Sequence, residues 1–277
     1  MRYLFLILGL ISCNKQKENI ENKLYYKLQN YQDSDFKDVK DSTIVVDLYE
    51  SIKPYKLQSI KKLNTWNKNN NLTLAYMSIG EAEDYREYYP ELNKKLILEV
   101  NEQWPGNFTV KYWEPEWQAI IINYVDQIID QGFNGTYLDI VDCFHRFDDK
   151  KLYAKRMAEF IIKIKAHSNK KDKKFEIIIQ NGLDIINFLS EEDKNNFLSS
   201  ISGASLEAHL NEEKKFKADR YYEKLFPIYS NLNKKMYAIE YLSSEDEQAQ
   251  FFEYAKKWKL IPLVTDPKLR GLDFIHN

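Results

Sequence analysis

Short apolar runs alternate with amphipathic segments along most of this chain. Eight runs are rich in β-branched and aromatic residues, which favour buried strands. In chain order these predicted strands span 43–49, 72–79, 108–113, 136–141, 175–179, 201–206, 236–239 and 260–264. Helical spacing of apolar residues separates them, most clearly over 115–131, and Gly132 suits the left-handed residue that follows a helix. The alternation predicts an α/β fold, a single (β/α)8 TIM barrel over residues 41–277.

The first forty residues follow a different pattern. Arg2 precedes an apolar run over residues 3–10 that is too short to span a bilayer. The run ends in Leu10-Ile11-Ser12-Cys13, which is typical of a bacterial lipoprotein signal. We expect residues 1–12 to be removed as a signal peptide, Cys13 to be lipidated, and residues 13–40 to form a polar tether. The protein would then be lipid-anchored and extracytoplasmic in the cell envelope; an unprocessed N-terminus is the alternative.

Composition narrows the classes of function. The chain of 277 residues has 42 acidic and 40 basic side chains, so its net charge of −2 argues against nucleic-acid binding. With Cys13 lipidated, Cys143 has no disulfide partner, and a buried, inert thiol is the expected state. A monomer without a cofactor is expected.

Polar residues follow the predicted strands. In a TIM barrel the carboxyl ends of the strands form the active face, so these side chains would converge there. The residues are Asp47, Glu81, Asp139, Asn181, Glu207, Glu240 and Asp266. Because chance supplies only one or two caps of this kind, six carboxylates among seven residues predict a functional site.

Converging carboxylates can bind a metal or perform acid–base chemistry. The four histidines include no His-x-x-x-His pair, and an all-carboxylate site would need Mg²⁺ or Ca²⁺. We therefore predict no metal, with a metal-dependent hydrolase as an alternative. Glycoside hydrolysis needs only two carboxylates, and Asp139 and Glu207 are the predicted pair. The sequence leaves open whether their separation suits a retaining or an inverting mechanism.

Several motifs carry a family resemblance. They are Tyr76-Met77-Ser78-Ile79-Gly80-Glu81 with Arg86, Trp104-Pro105-Gly106, residues 132–142, Gln180-Asn181-Gly182, Ser205-Leu206-Glu207, Ile239-Glu240-Tyr241 and residues 261–266. In this order they resemble glycoside hydrolase family 114, barrel enzymes related to endo-α-1,4-polygalactosaminidases. At Tyr137-Leu138-Asp139-Ile140 the chain departs from the fungal type and is more similar to an uncharacterised prokaryotic branch.

The resemblance implies an endo-acting hydrolase of an amino-sugar-containing polysaccharide. It implies a retaining mechanism with Asp139 as nucleophile and Glu207 as acid/base, or with the two roles exchanged. Seven residues would bind or orient the substrate: Asp47, Tyr76, Glu81, Arg86, Asp142, Asn181 and Glu240. Each of three has a simpler alternative, since Tyr76 could belong to the core, Asp142 could cap a turn, and Arg86 could be a surface residue or pair with Glu81. A carbohydrate-binding surface lipoprotein without turnover is the alternative from another class.

Overall fold

The computed structural model of the chain describes residues 22–32, 34–208, 220–271 and 273–276. The predicted signal peptide and Cys13 therefore lie outside the described residues. Within these ranges no helix combines the length and the apolar character needed to cross a bilayer.

Strands and helices alternate through the described ranges. The strands are β1 (Leu24–Tyr26), β2 (Thr43–Asp47), β3 (Tyr49–Ile52), β4 (Tyr55–Leu57), β5 (Leu72–Ser78), β6 (Glu81–Glu83), β7 (Ile97–Val100), β8 (Asn107–Val110), β9 (Gly135–Asp139), β10 (Glu176–Gln180), β11 (Gly203–Glu207), β12 (Lys235–Glu240), β13 (Ile261–Thr265) and β14 (Phe274–Ile275). The helices are α1 (Ile60–Lys68), α2 (Pro115–Gln131), α3 (Lys150–Lys171), α4 (Glu191–Ser200), α5 (Arg220–Asn231) and α6 (Glu245–Trp258).

Eight parallel strands form the barrel, in the order β1-β2-β5-β9-β10-β11-β12-β13. The short strand β14 adds to β13 in the antiparallel direction. Across the seam between the first and last parallel strands, the Leu28 N–H donates to the Leu269 carbonyl at 2.8 Å. The predicted α/β TIM barrel is confirmed.

The third predicted strand is wrong as a barrel strand. Residues 108–113 contribute only β8, which pairs antiparallel with β6 and β7 in a separate three-stranded sheet. An antiparallel hairpin needs only a short turn, whereas a parallel neighbour needs a long crossover. Strand β8 therefore pairs with the nearby β7. This sheet and its connections fill residues 79–114, between β5 and α2. The missing barrel strand comes from elsewhere in the chain.

The first barrel strand lies inside the segment predicted to be a tether. Leu24 and Tyr26 are buried, and β1 runs parallel to β2 with Leu24 opposite Thr43. Lys27 then forms an ion pair with Asp35 at 2.7 Å. The predicted boundary at residue 41 is therefore wrong. A strand of only three residues between polar flanks is too short to show a periodic pattern in the sequence.

The best-predicted helix, α2, has the expected ends and buried face. Pro115 occupies its first turn, and Gly132 follows it with a φ of 96°. Trp117 lies in the buried stripe and donates from Nε1 to the carbonyl of Ile79 at 2.9 Å. This bond fixes the helix against the carboxyl end of β5, where the active face of the barrel begins.

Side chains fill the barrel interior. Alternate residues of each strand point inward, and the residues between them pack against the helices. The buried inward-facing set is Leu24, Tyr26, Val45, Leu74, Tyr76, Tyr137, Ile178, Tyr237, Ile239 and Leu263. Thr43 Oγ1 and Tyr237 Oη form a hydrogen bond of 2.9 Å in the same interior. The barrel is thus a packed core, and any cleft lies at its mouth.

We predict that Leu24→Ala destabilises the protein by about 2–5 kcal/mol, because it leaves a cavity in the barrel interior. Denaturant unfolding followed by circular dichroism measures the change. Leu57→Ala on the exposed hairpin strand β4 is the control, with an expected change within about 0.5 kcal/mol. An equally small effect of Leu24→Ala would show that β1 is a tether after all.

Candidate active site

Asp139 ends β9 at the mouth of the barrel. Its Oδ1 accepts from the Ile140 N–H at 2.7 Å, and its Oδ2 accepts from the Tyr76 hydroxyl at 2.8 Å. Ile140 has a φ of 58°, so the chain turns sharply directly after the carboxylate. The two hydrogen bonds hold the carboxylate in one orientation. Tyr76, predicted to bind substrate, thus lies in the site as a donor to Asp139.

Glu207 ends β11, two strands away from Asp139. Its carboxylate accepts from the Tyr241 hydroxyl on Oε1 and from the Gln180 side-chain amide on Oε2. Its backbone N–H donates to Asn181 Oδ1 at 3.0 Å. Asn181, another predicted substrate-binding residue, therefore contacts the backbone of Glu207. Residues from β10, β11 and the end of β12 together fix this second carboxylate.

The barrel brings the two carboxylates together. Strand β10 separates their strands, which places the two backbones on the order of 10 Å apart. Both side chains point inward, over a floor of tyrosine rings. The Tyr26 ring centroid lies 5.3 Å from that of Tyr137 and 6.4 Å from that of Tyr76. The two carboxylates thus face one cleft at the barrel mouth, above a floor of tyrosine rings.

The pKa values of both carboxyl groups are raised. Burial against the tyrosine floor raises the pKa of Asp139 to about 8, with a further contribution from the negative charge of Glu207. Burial also raises the pKa of Glu207, although the hydrogen bonds from Tyr241 and Gln180 oppose the shift. Each carboxylate remains partly exposed, as expected at the bottom of an open cleft. Burial and the neighbouring charge of Glu207 therefore favour the protonated form of Asp139 at neutral pH.

Asp142 adds a third negative charge. It lies in the helical turn Val141–Arg146 directly after Asp139, and its charge contributes to the raised pKa of both Asp139 and Glu207. Asp142 is therefore close to the pair, as predicted from the sequence.

Asp47 and Arg86 meet in a buried cluster beside Tyr76. Arg86 Nη1 lies 2.7 Å from Asp47 Oδ2, and its Nε lies 2.6 Å from Glu83 Oε2. Tyr124 accepts a further hydrogen bond from Nη1 at 3.1 Å. The two alternatives considered for Arg86, a surface position and a pair with Glu81, are both wrong. The guanidinium is only 2% exposed because two carboxylates replace the water it would otherwise bind.

Glu81 binds a different cation. It is completely buried, and Arg146 Nη1 contacts its Oε1 at 2.6 Å. Asn101 Nδ2 donates to the same carboxylate at 3.1 Å. Glu81 thus connects the three-stranded sheet to the turn that carries Asp142, and it lies behind the cleft surface.

Two carboxylates of the predicted ring point elsewhere. Glu240 follows Ile239, which faces the barrel interior, so strand alternation directs Glu240 outward with Ala238. Asp266 accepts from the N–H and the Nε of Arg270, each at 3.0 Å. The ring of seven residues therefore reduces to a smaller group around Asp139 and Glu207.

Two residues of the site had no role predicted from the sequence. Gln180 and Tyr241 both donate to Glu207, although they occur in the motifs quoted for the family resemblance. Strand alternation could have predicted the position of Tyr241. Ile239 and Tyr241 lie on the same side of the chain, so the inward-facing residue after β12 is Tyr241 and not Glu240. Within the described ranges, no three His, Cys, Asp or Glu side chains form a group suited to a metal.

Comparison with known proteins places the chain in a family. The model of glycoside-hydrolase family GH114 matches residues 12–276. An uncharacterised protein of Methanocaldococcus jannaschii is 35% identical over 209 residues, covering 72% of this chain and 59% of the relative. One from Deinococcus radiodurans is 32% identical over 212 residues, covering 72% and 65%. This chain thus spans roughly three fifths of the length of these relatives.

Solved structures share the fold. The glycoside hydrolase domain of PelA from Pseudomonas aeruginosa superposes with a TM-score of 0.70 at 14% identity, covering 92% of this chain and 98% of that domain. Aspergillus fumigatus Ega3, solved in complex with galactosamine, superposes with a TM-score of 0.72 at 15% identity, covering 93% and 96%. At these identities the likeness establishes the barrel architecture.

The raised pKa of Asp139 predicts a pH-dependent cost to stability. The unfolded carboxyl ionises near pH 4 and the folded one at about 8, so stability falls as the pH rises through this window. Asp139→Asn removes this cost. We expect the free energy of unfolding to rise on substitution by more than about 2 kcal/mol relative to wild type at pH 8, with a much smaller gain at pH 5.

Urea unfolding of both proteins at the two pH values measures the difference. Asp126→Asn is the control, because hydrogen bonds from His167 and Lys171 overcome the effect of burial and lower the pKa of Asp126. That variant should lose stability at neutral pH. A pH-independent effect of Asp139→Asn would contradict the raised pKa.

Proposed function

This chain belongs to glycoside-hydrolase family GH114, and on that premise we propose that it is an endo-acting, retaining hydrolase of an amino-sugar-containing polysaccharide. The observation that carries the proposal is the pair formed by Asp139 and Glu207 at the mouth of the barrel. Glycoside hydrolysis needs one ionised and one protonated carboxyl group on either side of the scissile bond. A coupled pair that holds one proton at neutral pH meets this need.

The proposed roles follow the family resemblance, with Asp139 as nucleophile and Glu207 as acid/base. In the empty site the raised pKa of Asp139, about 8, favours its protonated form at neutral pH. An amino sugar changes this balance, because its ammonium group at C2 lies on the carbon next to the one attacked. An opposite charge within about 4–6 Å of a carboxylate lowers its pKa. Substrate binding would therefore ionise Asp139 and leave the proton of the pair on Glu207, ready for the leaving oxygen.

The charge around the mouth supports a cationic substrate. Residues 79–114, which follow barrel strand β5 on the active face, contain eight carboxylates and only four cationic side chains, whereas the whole chain is nearly balanced. Asp142 adds negative charge beside the pair. Such a field attracts protonated amino groups and raises their local concentration. Ega3, whose barrel this chain resembles, was solved with galactosamine bound, which favours a 2-amino sugar here as well.

The location of the protein is also a proposal. The segment Leu10-Ile11-Ser12-Cys13 after a short apolar run supports lipidation of Cys13 and attachment to the cell envelope. A polysaccharide outside the cytoplasm would then be the accessible substrate.

We predict that Asp139→Asn and Glu207→Gln each lower hydrolysis of de-N-acetylated polygalactosamine about a hundredfold or more, because each removes one member of the reacting pair. Reducing ends released over time measure the rate. Circular dichroism verifies that both variants are folded. In the wild type, NMR of the first product should show the anomeric configuration of the substrate, as retention requires.

Matched controls are Asp130→Asn and Glu192→Gln, which remove exposed carboxylates on α2 and α4. Both should hydrolyse at the wild-type rate. Wild-type activity in Asp139→Asn or in Glu207→Gln would exclude these two residues as the catalytic pair. A product with inverted anomeric configuration would exclude the retaining mechanism. Glycan binding without any released reducing end would instead indicate a binding protein.

Expression in a bacterial host tests the anchor. We expect radiolabelled palmitate to be incorporated into the wild type and not into Cys13→Ser, because the Cys13 thiol is the group to which the fatty-acyl-bearing lipid is attached. Cys143→Ser is the matched control and should be labelled like the wild type, since Cys143 is buried in the barrel domain. Equal labelling of Cys13→Ser and the wild type, or no labelling of the wild type, would contradict the proposed lipid anchor at Cys13.

A further inference from the structure

One of the five tryptophans is largely exposed to solvent. Trp104 is 60% exposed, whereas Trp66 and Trp117 are buried and Trp113 and Trp258 are half-buried. Within the part of the chain that the structure describes, its indole makes no hydrogen bond and no contact with another ring. Burial of an aromatic ring would stabilise the fold, and the flat face of an exposed one is available to a ligand.

Trp104 lies on the active side of the barrel. It occupies the turn between β7 and β8, where its N–H donates to the Asn101 carbonyl at 3.2 Å. Asn101 Nδ2 donates to Glu81, and Glu81 binds Arg146. Arg146 ends the helical turn that begins two residues after Asp139. Partly buried polar contacts thus connect the tryptophan turn to the rim of the cleft.

Two carboxylates lie on or against the turn that carries Trp104. The Asp84 N–H donates to the Gly106 carbonyl at 2.8 Å, and a Cβ atom on Gly106 would lie only 2.9 Å from Asp84 Oδ1. Gly106 has a φ of 100°, so the turn needs glycine at this position. Glu102 is exposed in the same turn. Within the described residues, neither carboxylate forms a hydrogen bond or an ion pair through its side chain.

An exposed aromatic face and unpaired carboxylates, on or against one turn, match an amino sugar. The apolar face of the ring stacks on the indole, and the ammonium group binds the carboxylates and the π-face. We propose that Trp104, Asp84 and Glu102 form a remote binding site for one amino-sugar unit of a polymer whose scissile bond lies at Asp139 and Glu207. The choice of polymer depends on the proposed function. The site holds the chain outside the cleft and increases its residence time there.

A second copy of this chain is the competing occupant. Leu98 and Val100 are exposed on β7, which is an edge strand of its sheet, and edge strands can pair with another molecule. Charge favours the polymer, because the excess of carboxylates over residues 79–114 would repel the same surface of a second copy.

Binding is measured with turnover silenced, in the full chain carrying Glu207→Gln. The probes are de-N-acetylated polygalactosamine, its fully N-acetylated form and the de-N-acetylated disaccharide. Adding Trp104→Ala should weaken binding of the cationic polymer about fivefold or more, and Trp104→Phe should restore most of the affinity. The double change Asp84→Asn and Glu102→Gln should weaken binding of the cationic polymer much more than that of its N-acetylated form.

Leu232→Ala is the control, since it removes an exposed apolar side chain after α5, at the opposite end of the barrel. It should bind every probe like the parent. Binding of the disaccharide at the cleft should be insensitive to Trp104→Ala, because the disaccharide is too short to occupy both sites. In the active chain, Trp104→Ala should raise KM for the polymer and leave kcat unchanged.

Unchanged polymer affinity in Trp104→Ala would overturn the remote site even if the wild type is an active hydrolase. So would a change of oligomeric state in sedimentation without a change in polymer affinity. The proposed function fails separately, if the wild type releases no reducing ends. Polymer binding that depends on Trp104 would then still support the remote site on a protein without turnover.

Discussion

Burial of two neighbouring carboxylates, Asp139 and Glu207, is the constraint around which the mouth of the barrel is built. Two carboxylates over a floor of tyrosine rings cannot both ionise cheaply, because little water remains to solvate them. The surrounding hydrogen bonds from Tyr76, Tyr241 and Gln180 lower this cost without removing it. A structural ion pair would be arranged in the opposite way, with a cation between the acids. Arg86, only a short distance away, shows that the chain can supply such a cation and uses it on Asp47 and Glu83 instead.

The barrel supports this arrangement through strand alternation and closure. Inward-facing positions at the ends of β9 and β11 direct both acids at one space, while the residues beneath them fill the interior with rings. Closure depends on β1, whose Tyr26 packs under the pair against Tyr137. Strand β1, which was predicted to be part of the tether, therefore belongs to the barrel. It forms part of the tyrosine floor against which Asp139 and Glu207 are buried, and this burial raises the pKa of both.

Sequence periodicity was sufficient for the barrel and for the pair, and it failed where the local signal was weak or ambiguous. Asp139 and Glu207 end apolar runs of ordinary length, so their position at the active face could be predicted. Strand β1 has three residues between polar flanks and gave no period. The run that became β8 has ordinary strand composition, but only tertiary pairing decides between an antiparallel hairpin and a barrel strand. The buried ion pairs of Arg86 could not be predicted, because its partners come from distant or non-periodic segments.

The charge of the proposed substrate would determine which of the two carboxyl groups is ionised. In the empty site the pKa of about 8 keeps Asp139 largely protonated at neutral pH, so this carboxyl is not yet arranged for attack. A neutral sugar would leave that distribution largely unchanged, since it brings no charge to the cleft. A 2-ammonium group stabilises the ionised form of the nearer carboxylate and so moves the proton towards the other. The same cation that the acidic mouth attracts would thereby prepare the nucleophile, so recognition and activation of an amino sugar would depend on one electrostatic interaction.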